Sequence, residues 1–129
     1  MCIRDSYRAD SGIIAAMVVL ELLSVTGRPL SELLAPFKRY AASGEINTVV
    51  DDPAAAVELM AAEVEAAGGA LGTADRLDGL TVDRGDWWYN LRPSNTEPLL
   101  RLNVEAPDEA SCAASVAEVQ DAIARLLSA

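Results

Sequence analysis

Residues 91–105 read LRPSNTEPLLRLNVE. In its second half Leu100, Leu102 and Val104 alternate with Arg101, Asn103 and Glu105, which predicts a strand over 99–105 with one apolar face. Just upstream, WWYNLR alternates Trp87, Tyr89 and Leu91 against Trp88, Asn90 and Arg92, a second strand of the same kind. Between the two stand Pro93, Ser94, Asn95, Thr96, Glu97 and Pro98. Pro93 fixes one φ, and Pro98 has no N–H with which to start the outgoing ladder. The connection is therefore expected to be an open loop whose donors are not consumed by strand pairing.

Working outward, residues 79–83 form another short strand pattern, turned into WWYNLR by DRGD. EINTVVDD, residues 45–52, is a fourth, with Ile46, Thr48, Val49 and Val50. Asp52 and Pro53 then start a helix, Asp as cap and Pro in the first turn. Val57, Met60, Ala61 and Val64 form its apolar face, and Gly68-Gly69 ends it. Asp108 caps a last helix in which Cys112, Val116, Val119, Ile123 and Leu126 recur every three or four residues. The order β-α-β-β-β-α predicts an α+β domain over residues 44–129: a small antiparallel four-stranded sheet with two helices on one face.

Residues 1–43 do not fit that domain. DSGIIAAMVVLELLSVTG has Asp10 or Ser11 as helix cap and Gly27 as stop, and is apolar nearly all round. Such a helix must be covered on every side. In RPLSELLAPFKRYAASG, Leu30, Leu33, Leu34 and Phe37 have helical spacing, and Pro36 should kink or end the helix. The two helices read as a remnant of a separate α/β domain. Met1–Ser6, MCIRDS, fits no pattern and reads as a non-native scar, so Cys2 carries no weight. The apolar run Ile13–Leu20 is much shorter than the ~20 residues of a membrane span and is closed by Glu21, so it reads as a buried soluble helix.

Composition excludes several function classes. The 129-residue chain is 51% apolar with a net charge of −10, which repels nucleic acid and anionic membrane. Any phosphate site must be local. With no histidine, the Ser-His triad, the Cys-His pair and His-based zinc sites are all excluded. Cys2 and Cys112 make no disulfide framework, Cys112 reads as a buried free thiol, and a reducing cytoplasm is the expected compartment. Asp10, Asp51, Asp52, Asp83 and Asp86 are better explained as caps and turn residues than as metal ligands. Trp87 and Trp88 could stack on a sugar, but strand alternation favours one in the core and one half-exposed.

The loop itself admits two readings. A phosphate dianion needs forked donors, small hydroxyls and free backbone N–H groups. Arg92 has the fork, Ser94 and Thr96 the hydroxyls, and Asn95 an amide that tolerates a left-handed backbone. The same residues also describe an ordinary hairpin loop, in which Glu97 forms a weak surface ion pair with Arg92 or Arg101. Spacing alone favours the hairpin reading.

The residue order adds a resemblance. RPSNTEPLLRLNVEA resembles the C-terminal phosphate-binding loop of the α-D-phosphohexomutases, Arg-x-Ser-Gly/Asn-Thr-Glu-Pro followed by a strand. Asn95 is most similar to the phosphomannomutase/phosphoglucomutase branch, since phosphoglucosamine mutases usually have Gly there. YRADSGIIAAMVVLELL resembles the family's late third-domain helix, and RPLSELLAPFKRYAASGEIN its crossing into the fourth domain. The likeness runs from about Tyr7 to Leu127.

The resemblance implies a four-domain enzyme that moves phosphate between C6 and C1 of a hexose through a phosphoserine and a bound Mg²⁺. It implies a fourth domain of TATA-binding-protein-like topology that closes over the active site and holds the substrate's phosphate. Carried over, the phosphate contacts are Arg92, Ser94, Asn95 and Thr96, with Glu97 and Arg101 in support. The implied partners are a mannose or glucose 1- or 6-phosphate and the enzyme's N-terminal domains. The family's Ser-His-Asn, Asp-Gly-Asp-x-Asp and Gly-Glu-x-Ser-Gly-His loops do not occur in this sequence. Catalytic residues and Mg²⁺ ligands are therefore expected outside it, and the chain alone is expected to be inactive. The competing reading is a stand-alone module that binds a phosphorylated ligand or protein without catalysis. The helix apolar on all sides separates the two, because a self-sufficient module would not begin with one.

Overall fold

A computed structural model describes residues 11–128. The chain divides into two compact units between Lys38 and Arg39.

In the first unit, α1 spans Gly12–Thr26. Ser11 is its N-cap, its side chain accepting the Ile14 N–H at 3.3 Å. Asp10, the alternative cap, and Met1–Ser6 lie outside the described residues. Gly27 ends the helix at φ 62°, a left-handed conformation that costs glycine little, and its N–H donates to the Leu23 carbonyl. No residue of α1 is buried. α2, Leu30–Leu34, tightens into a 3-10 turn at Ala35–Phe37, because Pro36 cannot donate to the preceding turn. At 15 residues α1 is short for a span, and among the described residues no single helix is long and apolar enough to cross a membrane.

The second unit is an α+β layer pair. Its strands are β1 (Ala41–Ala42), β2 (Ile46–Val49), β3 (Thr73–Asp75), β4 (Leu80–Asp83), β5 (Trp88–Pro93) and β6 (Leu99–Ala106), with helices α3 (Pro53–Ala66) and α4 (Glu109–Leu127). All pairings are antiparallel. β6 is central, with β5 on one side and both β1 and β2 on the other, and β4 and β3 follow beyond β5. The four expected strands are present, and the sheet has six because two short ones join it. β1 has two alanines and β3 three residues, too few for alternation to register. Through β1, residues 41–43 belong to the sheet rather than to the N-terminal segment. Ser43 donates its N–H to the Val104 carbonyl at 2.9 Å and accepts the Val104 N–H on its Oγ at 2.9 Å. The expected division at 43/44 therefore moves to 38/39.

The core lies on one face of the sheet. Leu80, Val82, Tyr89, Leu91, Leu100, Leu102, Val104 and Ala106 alternate into it and are at most 3% exposed. The other layer is Ala56, Val57, Met60, Ala61 and Val64 of α3 with Cys112, Val119 and Ile123 of α4. Trp87 packs against this core, 5.9 Å from the Tyr89 ring and under the Arg84 guanidinium, while Trp88 on the opposite face is half-buried. Burial pushes the Tyr89 phenol up to about 12. Burial likewise raises the Cys112 thiol, which donates to the Val104 carbonyl and behaves as a packed, unreactive group. The opposite face carries Thr81, Asn90, Arg92, Arg101 and Asn103, all partly buried.

Two outcomes follow from this packing. Leu102→Ala, at the centre of β6, should cost roughly 2–5 kcal/mol in urea unfolding. Asp108 caps α4 by accepting the Ser111 N–H at 2.8 Å, and chiefly that bond holds its carboxyl below the ordinary aspartate range. The folded value lies below the unfolded one, so the cap's contribution is complete above about pH 4 and is lost as pH falls through the folded value. Asp108→Asn should flatten that acid limb in thermal melts monitored by circular dichroism. An unchanged acid limb would show that other carboxylates govern it.

Candidate functional site

The β5–β6 register sets the site. Arg92 is directly opposite Arg101, and Pro93 opposite Leu100 forms the last pair before the loop. The Ser94 N–H closes the loop on the Leu99 carbonyl at 2.8 Å, and the Leu99 N–H donates to the Glu97 carbonyl at 2.7 Å. Beyond that closure Asn95 and Thr96 are exposed. Among the described residues, no hydrogen bond engages their side chains.

Both arginines lie on the polar face, where two like charges directly opposite repel unless anions lie between them. The anions come from outside the hairpin. Arg92 Nη1 donates to Asp78 Oδ2 at 3.2 Å. Glu45 Oε2 lies 3.9 Å from Arg92 Nη2 and 3.8 Å from Arg101 Nη1. Arg101 Nη2 reaches Ser94 Oγ at 3.4 Å. The Nε atoms of both arginines are buried and have no hydrogen-bond partner. A buried donor without an acceptor is costly.

A cavity of about 420 Å³ opens beside them, lined by Arg92, Ser94, Asn95 and Arg101 on the hairpin side and by Arg76 and Gly79 across it. Arg76 is engaged with Glu58 of α3, a hydrogen bond that raises its guanidinium pKa. Gly79 sits at φ 73°, and a Cβ there would lie 2.4 Å from the Leu91 carbonyl oxygen and 2.8 Å from Arg92 Cγ. Only glycine lets the turn before β4 pass so close over Arg92. Asn90 Nδ2 pins that turn by donating to the Asp78 carbonyl at 2.8 Å and to Thr81 Oγ1 at 2.9 Å.

Of the residues expected in the site, Arg92, Ser94, Asn95 and Arg101 line the cavity. Thr96 is on the exposed rim. Glu97 is exposed and pairs with neither arginine, because Asp78 and Glu45 occupy their guanidinium groups instead. Arg76, Asp78, Gly79 and Glu45 had no signal of their own in the sequence. The opposition of Arg92 and Arg101 did have one, since the two are equidistant from the centre of a tight hairpin. The chemistry on offer is hydrogen bonding to an anion by two guanidiniums and the polar groups of the loop. Among the described residues, no group of three or more His, Cys, Asp or Glu side chains comes together to hold a metal ion.

Comparison with known proteins gives consistent matches. The family model described as phosphoglucomutase/phosphomannomutase, C-terminal domain, matches residues 45–126. The model for the alpha/beta/alpha domain III of the same family matches residues 1–40. A protein named phosphohexose mutases from Xanthomonas campestris pv. campestris is 45% identical over 109 residues, covering 84% of this chain and 24% of the relative. A phosphomannomutase from Salmonella montevideo is 43% identical over 104 residues, 80% of this chain and 22% of that one. A crystal structure of a phosphoglucomutase/phosphomannomutase family protein from Burkholderia thailandensis superposes with a TM-score of 0.64 at 26% identity, covering 95% of this chain and 24% of that one. The chain thus spans about a quarter of the length of the relatives it matches.

Gly79→Ala should displace the Arg92 side chain and the turn above it. The expected result is a lower thermal midpoint in circular dichroism melts; an unchanged midpoint would mean that the turn accommodates a Cβ at this position.

Proposed function

The chain belongs to the phosphoglucomutase/phosphomannomutase family, and on that premise we propose that its Arg92–Thr96 loop grips the phosphate of a hexose phosphate. The observation that carries this reading is the pair of directly opposed guanidiniums, each with an unpartnered buried Nε, beside the Ser-Asn-Thr loop. Arg92 offers the fork, Arg101 a second guanidinium, Ser94 and Asn95 their polar groups from the cavity wall, and Thr96 its hydroxyl from the rim.

The role is positional. In the whole enzyme, phosphate passes between C6 and C1 of the hexose through a phosphoserine outside this chain. The loop holds the phosphate that is not reacting, so the other end of the sugar meets the phosphoserine. Mg²⁺ in the full-length enzyme would assist that transfer. The described residues do not fit it, since they bring together no ligand group, and nothing this chain does is routed through it. The rest of the enzyme would also cover α1, whose Ile13, Met17, Leu20 and Val25 are exposed. The compartment is the cytoplasm, as for a reduced buried thiol and a soluble sugar phosphate.

Magnitudes agree with a holding role. Charge-assisted hydrogen bonds contribute ~1.5–3 kcal/mol each. Association costs ~4 kcal/mol or more. The surplus at the loop alone corresponds to roughly millimolar affinity. In the closed enzyme the sugar hydroxyls are held elsewhere, and the same contacts act on a ligand already oriented.

The 129-residue chain alone should not turn over glucose 1-phosphate or mannose 1-phosphate; turnover would overturn the assignment of the chemistry to other domains. Titration with glucose 6-phosphate should move the amide resonances of residues 92–96 and 101. Arg92→Ala should abolish those shifts and Arg92→Lys restore them poorly, because a point charge cannot make two parallel bonds. Saturating ligand that perturbs only other regions would make this an ordinary hairpin loop.

A further inference from the structure

Glu45 sits where a bridging anion would sit. Its Oε2 is nearly equidistant from the two guanidiniums, 3.9 Å from Arg92 Nη2 and 3.8 Å from Arg101 Nη1, beyond hydrogen-bond reach of either. Its other oxygen, Oε1, accepts from Asn47 Nδ2 at 3.3 Å, which steers the carboxylate toward the arginines. Asp78 differs. It binds Arg92 alone, at 3.2 Å, and its side chain is 74% exposed. The cross-strand arginines need an anion between them, since like charges directly opposite are unfavourable.

We propose that Glu45 is a resident counter-ion: it balances Arg92 and Arg101 while the site lacks ligand, and the incoming phosphate displaces it. This rests on the phosphate-holding reading above and deepens it. A carboxylate that brings one oxygen near two guanidiniums at 3.8–3.9 Å satisfies neither and leaves both Nε donors unpartnered. A tetrahedral phosphate has three free oxygens to share between two forks and carries more charge. The exchange therefore favours a phosphate monoester over a singly charged carboxylate. Glu45 acts as a positioning residue that keeps the pair together and makes weakly charged anions compete with a built-in one.

The test uses the full 129-residue chain and inorganic phosphate, followed by glucose 6-phosphate. Glu45→Gln keeps the shape and removes the charge. Removing two weak ion pairs should tighten phosphate binding about three- to tenfold. In phosphate-free buffer the variant should melt earlier than the unmodified chain, and saturating phosphate should close that gap. A purely structural glutamate would also lower the melting point, but phosphate would not restore it and affinity would not rise. Equal or weaker binding by Glu45→Gln, with Arg92→Ala still abolishing binding, overturns the counter-ion role and leaves the phosphate site standing. Undiminished binding by Arg92→Ala overturns both. A measurement on the unmodified chain stands independently of the variant's folding. Phosphate should shift the Nε–H resonances of Arg92 and Arg101 together, and movement of one alone overturns the shared exchange.

Discussion

The pairing of β5 with β6 in one register is the constraint on which the second unit depends. β6 has a single apolar row, Leu100, Leu102, Val104 and Ala106, and α3 and α4 cover only that side of the sheet. Slipping the pair by one residue would turn this row to the polar face and strand four buried side chains. The same register leaves Arg92 and Arg101 facing each other on the far side. Core and site are thus two consequences of one alternation, and hydrophobic burial sets the strand register that makes the two arginines face each other.

That placement creates an electrostatic problem that the surrounding chain answers locally. Two guanidiniums within one cross-strand pair are brought toward balance by Asp78 from the turn before β4 and by Glu45 from the start of β2. Gly79 and Asn90 bring the turn close enough for Asp78 to reach. The result is a cluster of guanidiniums and carboxylates close to charge balance on a chain of net charge −10. Long-range attraction of an anion is therefore weak, and recognition depends on geometry at short range. Such a device suits holding a phosphate that other parts of an enzyme present to it.

The first unit has the opposite character. α1 has a proper cap and a proper stop, yet it buries nothing. Its form is explained by local signals, Ser11 at one end and Gly27 at the other, whereas its composition answers to packing that these residues do not contain. The relatives that the chain matches are about four times longer.

Local periodicity made much of the second unit legible. The alternation of WWYNLR and LLRLNVE, the caps Asp52 and Asp108 and the apolar stripes of α3 and α4 are near-neighbour properties, and they led to the α+β layer pair; the reading of Arg92, Ser94, Asn95 and Thr96 as one site came from the residue order of the loop and the family it resembles. β1 and β3 were not legible because two or three residues hold no period. Glu97 misled because sequence proximity to the arginines implied contact, whereas the loop closes through its backbone and turns that carboxylate outward. The sequence by itself determined which face of each element is apolar and where the small polar residues and arginine gather, since both follow from spacing along the chain. Only the tertiary structure decided that Glu45, Arg76, Asp78 and Gly79 surround them. Those residues arrive from separate strands and turns, and which of them meet is set by strand order and register, not by any spacing between them.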